Sequence, residues 1–339
     1  MAYKHKDFYQ MTLKDTYNRD INYVRIAVTD RCNLRCFYCM PEQGIVYEPK
    51  AHLLSYEEII RLLTILGQLG FTKVRFTGGE PFLRKDFTQL IEKTAALSAF
   101  ENIHITTNGT LVQNHIPLLK KLGITKLNLS LDTLNEERFK KITRRDDFSK
   151  VWDTLQVLIK ENFSVKVNAV AMNGINTEDI IPMAELAREY PIHVRFIEEM
   201  PFNGGAKENQ KIFSSKEILS TLHKHFPDLK VLSGKHGDTA TEYTAAHFIG
   251  KIGIIPAFSR TFCTTCNRLR ITANGEIKTC LYDGGVFSMR DFLRSGATDL
   301  EVKEKFIELI RLKPKDGFEA EKFTTQSVIR NESMSSIGG

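Results

Sequence analysis

The segment that decides the fold reads Cys32-Asn33-Leu34-Arg35-Cys36-Phe37-Tyr38-Cys39-Met40-Pro41, with three cysteines in the spacing C-x3-C-x2-C. It follows an apolar run, Tyr23 to Thr29, that predicts a strand. A loop at the end of a strand is a common place for chemistry, because the rigid sheet positions it. Three thiolates this close together can face one centre, one ligand short of the four in a closed zinc or iron–sulfur site. A four-iron cluster on three cysteines would leave one iron open to another ligand.

The other cysteines form a second triplet far along the chain. All six cysteines fall into two groups, Cys32, Cys36 and Cys39, then Cys263, Cys266 and Cys280. The polar N-terminal stretch, Met1 to Asp20, does not have the pattern of a signal peptide, so we expect a cytoplasmic protein with reduced thiols. In that compartment, tight cysteine groups indicate a metal site or catalysis rather than disulfides.

Composition limits the class of protein without naming a function. The chain has 339 residues, of which 42% are hydrophobic and 26% charged, with a net charge of +6. These values are ordinary for a globular protein large enough to bury a sizeable core. No apolar run approaches the roughly 20 residues that span a bilayer, so we expect no membrane association. The modest positive charge fits an anionic substrate or loose nucleic-acid contact.

Strand and helix patterns alternate through the first two thirds of the chain. Each predicted helix follows a strand, at intervals typical of a parallel α/β sheet. Ser55 and Glu58 form a predicted capping box before the first helix. The six predicted strands are Tyr23–Thr29, Lys73–Thr77, Asn102–Thr107, Lys126–Leu131, Ser164–Val170 and His193–Glu198.

The number of units favours an incomplete barrel. A complete eight-fold barrel needs two more units, whereas here the pattern stops at Met200, before the Gly-rich loop Pro201 to Ala206. We therefore predict an incomplete (β/α)6 barrel, with a doubly wound open sheet as the alternative. The predicted divisions are an N-terminal arm (1–22), a partial barrel (23–200) and a C-terminal region (201–339) with a flexible Gly-Gly tail.

The C-terminal region is organised around a predicted hairpin. Asn274-Gly275 is a strong hairpin signal between the strands Arg268–Ala273 and Glu276–Thr279. Cys263 and Cys266 precede this hairpin and Cys280 follows it, so the three cysteines can converge. We also predict strand structure over Glu242–Ile255, helices over 215–226 and 299–312, and a polar, mobile tail after them.

Two motifs together resemble those of the radical S-adenosylmethionine (SAM) superfamily. The first triplet with its aromatic Tyr38 resembles the superfamily's cluster-binding motif, and Gly78-Gly79-Glu80-Pro81 resembles its methionine-binding segment. The stretch from Cys263 to Arg270, with Cys280 and the terminal Gly-Gly, is similar to the GTP 3′,8-cyclase family of molybdenum cofactor biosynthesis. This second resemblance runs from about residue 20 to the C-terminus.

The resemblance implies cofactors, a substrate and residue roles. It implies two [4Fe–4S] clusters, one on each triplet, with SAM on the first and GTP contacting the second. Residues similar to SAM contacts are Tyr38, Gly79, Ser130 and Met200. Residues similar to GTP contacts are Arg25, Arg75, Thr106, Lys166, Arg268 and Arg270, which Lys73 and Arg195 can join. It further implies a homodimer and a separate reductant protein.

The cations on the strands support an enclosed anion site independently of the resemblance. Lys73 and Arg75 alternate with apolar residues, so their side chains share one face of a strand. Lys166 and Arg195 repeat the pattern on later strands. A lone cation in a strand usually marks a solvated end, but four such strands indicate a polar barrel interior that suits a triphosphate.

Three other interpretations are weighed against the cyclase. Zinc could occupy the second triplet, since a C-x2-C knuckle beside a hairpin is a common zinc arrangement, but no histidine lies between Cys263 and Cys280. A nucleic-acid-binding metalloprotein would show basic patches interleaved with exposed aromatics, whereas these cations occur singly on successive strands. Other two-cluster radical enzymes, which modify sulfatases or peptides, carry more auxiliary cysteines.

Overall fold

The computed structural model describes residues 13–41, 44–200, 211–233, 237–323 and 333–338. Its strands are β1 Tyr23–Ala27, β2 Lys73–Thr77, β3 Asn102–Thr107, β4 Lys126–Ser130, β5 Ser164–Ala171, β6 His193–Glu198, β7 Lys230–Val231, β8 Thr241–Thr244, β9 Lys251–Ile255, β10 Arg268–Ile271, β11 Glu276–Lys278 and β12 Phe287–Ser288.

Helices follow the strands as the alternating pattern predicts. They are α1 Tyr56–Gln68, α2 Phe87–Ala95, α3 Ile116–Lys121, α4 Glu136–Thr143, α5 Phe148–Lys160, α6 Ile180–Glu189, α7 Ser215–His225, α8 Met289–Arg294, α9 Asp299–Arg311, α10 Gly317–Lys322 and a last short helix, Met334–Ile337. Ser55 caps α1 in the predicted capping box, with its side chain accepting a hydrogen bond from the Glu58 backbone. Among these described segments, no helix has the length and apolar character needed to cross a bilayer.

Strands β1 to β6 lie side by side in chain order, and all are parallel. This order has no point where the chain reverses direction across the sheet, so the doubly wound alternative is wrong. The predicted partial α/β barrel is confirmed. Two strands of the C-terminal region extend it in parallel, β10 beside β1 and β9 beside β6.

The two faces of the sheet differ in chemistry. One face carries the apolar core, with Val24, Phe76 and Val167 fully buried under the surrounding helices. Because side chains alternate along a strand, the neighbours of these residues point to the opposite face. That face carries Arg25, Arg75 and most of the other predicted substrate residues, so the sheet separates an apolar layer from a polar interior.

Two predictions about the C-terminal region need correction. Glu242–Ile255 is not one strand: β8 and β9 are antiparallel, and the chain turns between them. The tail is also more ordered than predicted over its described part. It contains α10 and the helix Met334–Ile337, and Ile337 is fully buried. The rest of the predicted tail, including Gly339, and the loop 201–210 lie outside the described residues. The hairpin at Asn274-Gly275 is confirmed, with Gly275 at φ +86°.

The described part of the N-terminal arm packs against the C-terminal region. Arg19 is buried and pairs with Asp15, with 2.6 Å between Nε and Oδ2. Its guanidinium also donates to the carbonyls of Cys263 at 3.0 Å, Lys315 at 2.7 Å and Pro314 at 2.6 Å. The arm therefore supports the loop that carries the second triplet. The division of the chain at Met200 stays a prediction.

Candidate active site between two cysteine triplets

The first triplet lies in a cavity at the carboxyl ends of the parallel strands. Cys32, Cys36 and Cys39 all line this cavity, whose volume is about 1220 Å³ including its open mouth. The cysteine loop is held by α4: Arg35 N donates to the Thr143 carbonyl at 2.9 Å, and Phe37 N donates to the Ile142 carbonyl at 3.1 Å. The cysteine loop and α4 are about a hundred residues apart in the sequence, so the fold brings them together and positions the thiols.

All four residues that resemble SAM contacts line the same cavity. They are Tyr38, Gly79, Ser130 and Met200. Tyr38 donates a hydrogen bond of 2.8 Å to the buried carboxylate of Asp132. The structure thus brings these residues together around one space, and their individual contacts to SAM stay a prediction.

Close packing against the cysteine loop leaves no room for a side chain at Gly79. A Cβ atom at this residue would lie 2.0 Å from the carbonyl oxygen of Arg31, in the cysteine loop. The backbone also pairs there, since Gly79 N donates to the Thr29 carbonyl at 2.8 Å. Gly79 therefore lets the two motifs approach each other, which is a role beyond that of a turn glycine.

We predict that Gly79→Ala displaces the cysteine loop. The expected result is loss of iron from the first triplet and a loss of about 1–3 kcal/mol in the free energy of unfolding, because the added methyl overpacks a backbone contact. Iron content and urea denaturation under anaerobic conditions measure both effects. Gly123→Ala is the control: its site is open but has φ +71°, so it should cost about 1–2 kcal/mol and keep its iron. Full iron content in Gly79→Ala would contradict this role.

The second triplet lines a separate cavity that shares one wall with the first. Cys263, Cys266 and Cys280 line this space, of about 510 Å³ with its opening, and Met200 lines both cavities. Asp283 holds the backbone at Cys280, with a distance of 2.7 Å from its Oδ2 to the Cys280 nitrogen. The predicted convergence of the three cysteines on one space is therefore observed.

Each triplet presents three cysteines to a cavity. Within the segments that the structure describes, no three His, Cys, Asp or Glu side chains converge as ligands of one metal ion. In an iron–sulfur cluster each thiolate binds a different iron, so the thiolates stand farther apart than the ligands of one ion. A closed structural zinc site has four protein ligands, whereas an open zinc site has three and a water. Three cysteines lining a cavity fit a cluster with one open iron.

The charges around the second triplet favour the thiolate at Cys266 alone, since burial raises the pKa of Cys263 and raises that of Cys280 to about 11. Burial alone would raise the pKa of Cys266, but the nearby cations Lys313 and Arg268 outweigh it and lower that pKa to about 6. Lys313 is itself buried, and its ammonium group donates to the carbonyls of Arg268, at 3.0 Å, and Thr279. A positive environment of this kind stabilises a metal-binding sulfur.

The predicted substrate cations lie together on the polar face of the sheet. Strand register places Arg25 beside both Arg75 and Arg270, and Arg268 two residues before Arg270 on β10. Arg75 donates to Thr106 at 3.2 Å, and Thr106 also lines the first cavity. Arg268 and Arg270 line the second cavity. The cations therefore reach from one triplet to the other.

The far strands complete this cationic face. Burial, then the charges of Arg195 and Arg75, lowers the pKa of Lys166 to about 8. Burial and Arg75 likewise lower the pKa of Arg195 to about 10. The Nε of Arg195 is buried and makes no hydrogen bond within the described segments. Cations that repel one another and retain an unused donor form a site prepared for a polyanion.

Tyr23 is a part of this face that the sequence argument missed. Its hydroxyl accepts a hydrogen bond of 2.5 Å from Arg75, and the Lys73 ammonium lies 4.5 Å from its ring centre. Burial would raise the pKa of Tyr23, but Arg75, Arg25 and Lys73 outweigh it and lower that pKa to about 7. Its position two residues before Arg25 on the same strand face was the signal available in the sequence.

We predict that Tyr23 and Lys166 make the nucleotide-free protein more stable as pH rises from 7 to 10. Tyr23 and Lys166 lose their protons there in the folded state but keep them in the unfolded state, whose values are near 10.0 and 10.5. Because these two groups then bind more protons in the unfolded state, their contribution to the free energy of unfolding rises with pH. Anaerobic urea denaturation at several pH values measures the slope. The Tyr23→Phe/Lys166→Met variant should have a smaller slope, and an equal slope would contradict the prediction.

Three carboxylates in or beside the first cavity were not among the predicted site residues. Burial raises the pKa of Glu80 to about 7, that of Asp132 to about 6 and that of Glu199 to about 7. Glu80 accepts hydrogen bonds from Thr107 at 2.9 Å and from the Asn108 backbone at 2.7 Å. Asp132 and Glu199 line the cavity itself. Carboxylates beside the first triplet offer acceptors for a cationic ligand with amino and hydroxyl groups.

The C-terminal helix closes the space between the two cavities. Met334 and Ser335 line the first cavity. The Gly338 carbonyl accepts a hydrogen bond of 2.7 Å from Arg270 Nη1. A Cβ atom at Gly338 would lie 2.3 Å from Thr77 Cγ2, which makes this a position for glycine. Gly338 therefore lies within the candidate active site.

Comparison with known sequences agrees with this geometry. Residues 26–187 match the profile of the Radical SAM superfamily, and residues 192–319 match that of Molybdenum Cofactor Synthesis C. The chain is 42% identical over 330 residues to GTP 3′,8-cyclase of Desulforamulus reducens, covering 96% of this chain and 99% of the relative.

A longer relative and a solved structure are also similar. Molybdenum cofactor biosynthesis protein 1 of Drosophila melanogaster is 40% identical over 298 residues, which cover 88% of this chain and 52% of the relative. This chain thus spans about half the length of that relative. Streptococcus suis SuiB bound to S-adenosylmethionine has the same fold, with a TM-score of 0.61 and 16% identity over 90% of this chain and 68% of SuiB. On the sequence identity and the two profile matches, the chain belongs to the GTP 3′,8-cyclase family within the radical SAM superfamily.

Proposed function

We propose that this protein is a radical SAM lyase that converts GTP to 3′,8-cyclo-7,8-dihydro-GTP, the first step of molybdenum cofactor biosynthesis. One observation carries the proposal: a continuous cationic face connects two cavities, each lined by three cysteines. A triphosphate requires several cations, and a nucleotide is long enough to present its base to one cavity while its ribose faces the other.

Membership in the radical SAM superfamily implies a [4Fe–4S] cluster and SAM. Cys32, Cys36 and Cys39 would hold that cluster, with its open iron bound by the methionine end of SAM. When bound, the pair supplies one electron to cleave the sulfonium and gives a 5′-deoxyadenosyl radical. The chain's own contribution is a buried cavity in which Tyr38, Gly79, Ser130 and Met200 orient SAM.

A second [4Fe–4S] cluster on Cys263, Cys266 and Cys280 is part of the proposal. The position of all three cysteines in one cavity and the lowered pKa of Cys266 support it. In this arrangement Cys263, Cys266 and Cys280 would hold the cluster, which would offer a binding position to the guanine base. The radical from SAM would take a hydrogen atom from the ribose of GTP to give 5′-deoxyadenosine, and the ribose carbon would bond to C8 of guanine. The purine radical left by this bond would take up one electron from the reductant and one proton to give the 7,8-dihydro product.

The phosphates of GTP would occupy the cationic face. The residues proposed to bind them are Arg25, Lys73, Arg75, Lys166, Arg195, Arg268 and Arg270, with Thr106 near the ribose. The shared strand face supports this assignment, since charge-assisted contacts from arginine to phosphate are strong and directional. These cations are buried or half-buried, which argues against the alternative of a nucleic-acid-binding protein, whose cations must be exposed.

The family resemblance alone supports three further parts of the proposal. The protein would act as a homodimer in the cytoplasm, with electrons from a separate reductant protein.

The proposal is tested by anaerobic incubation of the reconstituted protein with SAM, a reductant and GTP. We expect GTP-dependent release of 5′-deoxyadenosine together with a cyclised guanine product, both detected by mass spectrometry. ATP in place of GTP is the control for the base. Product formation that does not depend on GTP would contradict the proposed activity.

We predict that deleting Gly338 and Gly339 abolishes turnover while both clusters remain. Gly338 lies against Arg270 and Thr77, between the proposed positions of GTP and SAM. Its removal frees Arg270 from the tail without touching a cysteine. Iron content and product formation are measured on the same sample, and a Lys322→Ala variant in exposed α10 is the control. Full activity in the deleted protein would contradict a role for the tail.

A further inference from the structure

We propose that a basic surface outside the first triplet is the docking site for an acidic one-electron donor protein. We call this surface the basic rim and define it as Arg31, Arg35, Lys141, Arg144 and Arg145. This inference rests on the proposed function, because only that function requires an electron at the first triplet. It adds where the donor binds and what charge the donor carries.

The end of α4 joins the rim to the cysteine loop. Arg144 Nη1 lies 3.3 Å from the carbonyl of Met40 and 3.4 Å from that of Pro41. Arg144 adopts φ +54°, a left-handed conformation that ends the helix beside the loop. Arg145 Nη1 donates to the Arg144 carbonyl at 2.7 Å. A donor on this surface is therefore separated from the cluster cysteines by little more than the loop itself.

A second group of contacts extends the rim on the other side of the loop. The guanidinium groups of Arg31 and Arg35 lie 5.6 Å and 5.9 Å from the centre of the Tyr47 ring. Val46, the preceding residue, is 98% exposed. An exposed apolar side chain bordered by cations is typical of a surface that binds a charged partner transiently.

The positive charge of the rim is not cancelled by the acidic residues next to it in sequence. Asp146 pairs with Lys140 at 2.9 Å, and Asp147 pairs with Lys150 at 2.6 Å. Lys141, Arg144 and Arg145 form no ion pair with another residue of the described segments. Lys141, Arg145 and Arg31 are exposed. The charge faces solvent, unlike that of the substrate cations inside the sheet, so it is available to a protein partner.

The chemistry at the first triplet indicates what that partner supplies. The donor loses one electron, and the cluster gains it and is reduced from [4Fe–4S]2+ to [4Fe–4S]+. No bond forms or breaks in this step. A protein that carries a reduced flavin or iron–sulfur centre can give one electron at low potential. Because opposite charges speed encounter and fix orientation, a basic rim selects an acidic donor.

The test compares two donors on a charge-reversed variant. Lys141→Glu/Arg145→Glu changes the rim without altering a cysteine or a residue of either cavity. The protein donor is an acidic flavoprotein with a reduced flavin mononucleotide, and the small donor is photoreduced 5-deazariboflavin. Stopped-flow loss of visible cluster absorbance gives the reduction rate without GTP. The control, Lys216→Glu/Lys224→Glu, makes the same charge change on exposed positions of α7.

We expect reduction by the flavoprotein to slow about 10- to 100-fold in the rim variant at low ionic strength. Its salt dependence should weaken, while the rate with deazaflavin and the rates of the α7 control stay unchanged. Equal flavoprotein rates in the rim variant and the wild type would overturn the proposal. So would an equal loss in the α7 variant, or a loss with both donors. Because the reduction rate is measured without GTP, it can be interpreted even if the proposed cyclase activity is wrong.

Discussion

Cys36→Ser is expected to form no detectable 5′-deoxyadenosine and to hold half of the wild-type iron. Cys36 lines the first cavity with Cys32 and Cys39, and the proposed cluster there supplies the electron that cleaves SAM. Without one thiolate the cluster is lost, because no other cysteine of the chain is available to replace it. Anaerobic iron analysis and mass spectrometry measure the two effects.

Cys280→Ser is the matched comparison for this variant. It should also hold half of the iron, yet it should still cleave SAM when reduced, since the first cavity is unchanged. The cyclised guanine product should disappear. The two variants therefore separate radical formation from use of the radical. If Cys280→Ser retains cyclisation, or if Cys36→Ser still cleaves SAM, the division of roles between the triplets is wrong.

Arg195→Met is expected to weaken GTP binding about 10- to 100-fold while making the nucleotide-free protein more stable. A charge-assisted hydrogen bond contributes about 1.5–3 kcal/mol, which corresponds to that range of affinity. Without nucleotide, however, the Arg195 guanidinium is buried near Arg75 and its Nε has no hydrogen-bond partner within the described chain. Removing it relieves repulsion and desolvation.

The opposite signs of these effects make the prediction specific. Anaerobic calorimetry measures GTP affinity, and urea denaturation measures the free energy of unfolding without GTP. Arg138→Met is the control, because Arg138 pairs with the buried Asp179 at 2.6 Å and neither residue lines either cavity. That control should lose stability and keep its GTP affinity. A destabilised Arg195→Met protein with unchanged affinity would show that Arg195 is structural.

Local signals in the sequence were sufficient for much of the fold. The strands Asn102–Thr107 and His193–Glu198 have the predicted bounds, since β-branched and apolar residues stop there at turn residues. Ser55 and Asn274-Gly275 identify a helix start and a hairpin through their own hydrogen-bonding and backbone chemistry. The error at Glu242–Ile255 has a similar local cause. Residues on both sides of the turn have strand character, so the sequence pattern did not show that the chain reverses direction between β8 and β9.

The candidate site was predictable where its residues carry distinctive chemistry. Six cysteines in two triplets, and cations within apolar strands, are visible without a structure. Arg19, Asp132 and Asp283 were not, because each acts through hydrogen bonds to residues far away in the sequence. The short helix Met334–Ile337 was missed for another reason. Four residues have little helix propensity of their own, and this helix depends on packing Ile337 beside Tyr282.

The most direct test of the account is whether the base of GTP touches the second triplet. We would reduce the Cys36→Ser protein, so that only the second cluster can be paramagnetic, and add GTP with ¹⁵N in its guanine ring. Electron–nuclear double resonance should then show a ¹⁵N coupling that is absent with unlabelled GTP. A second site that contains stoichiometric zinc, or a reduced cluster with no ¹⁵N coupling at saturating GTP, would contradict the account.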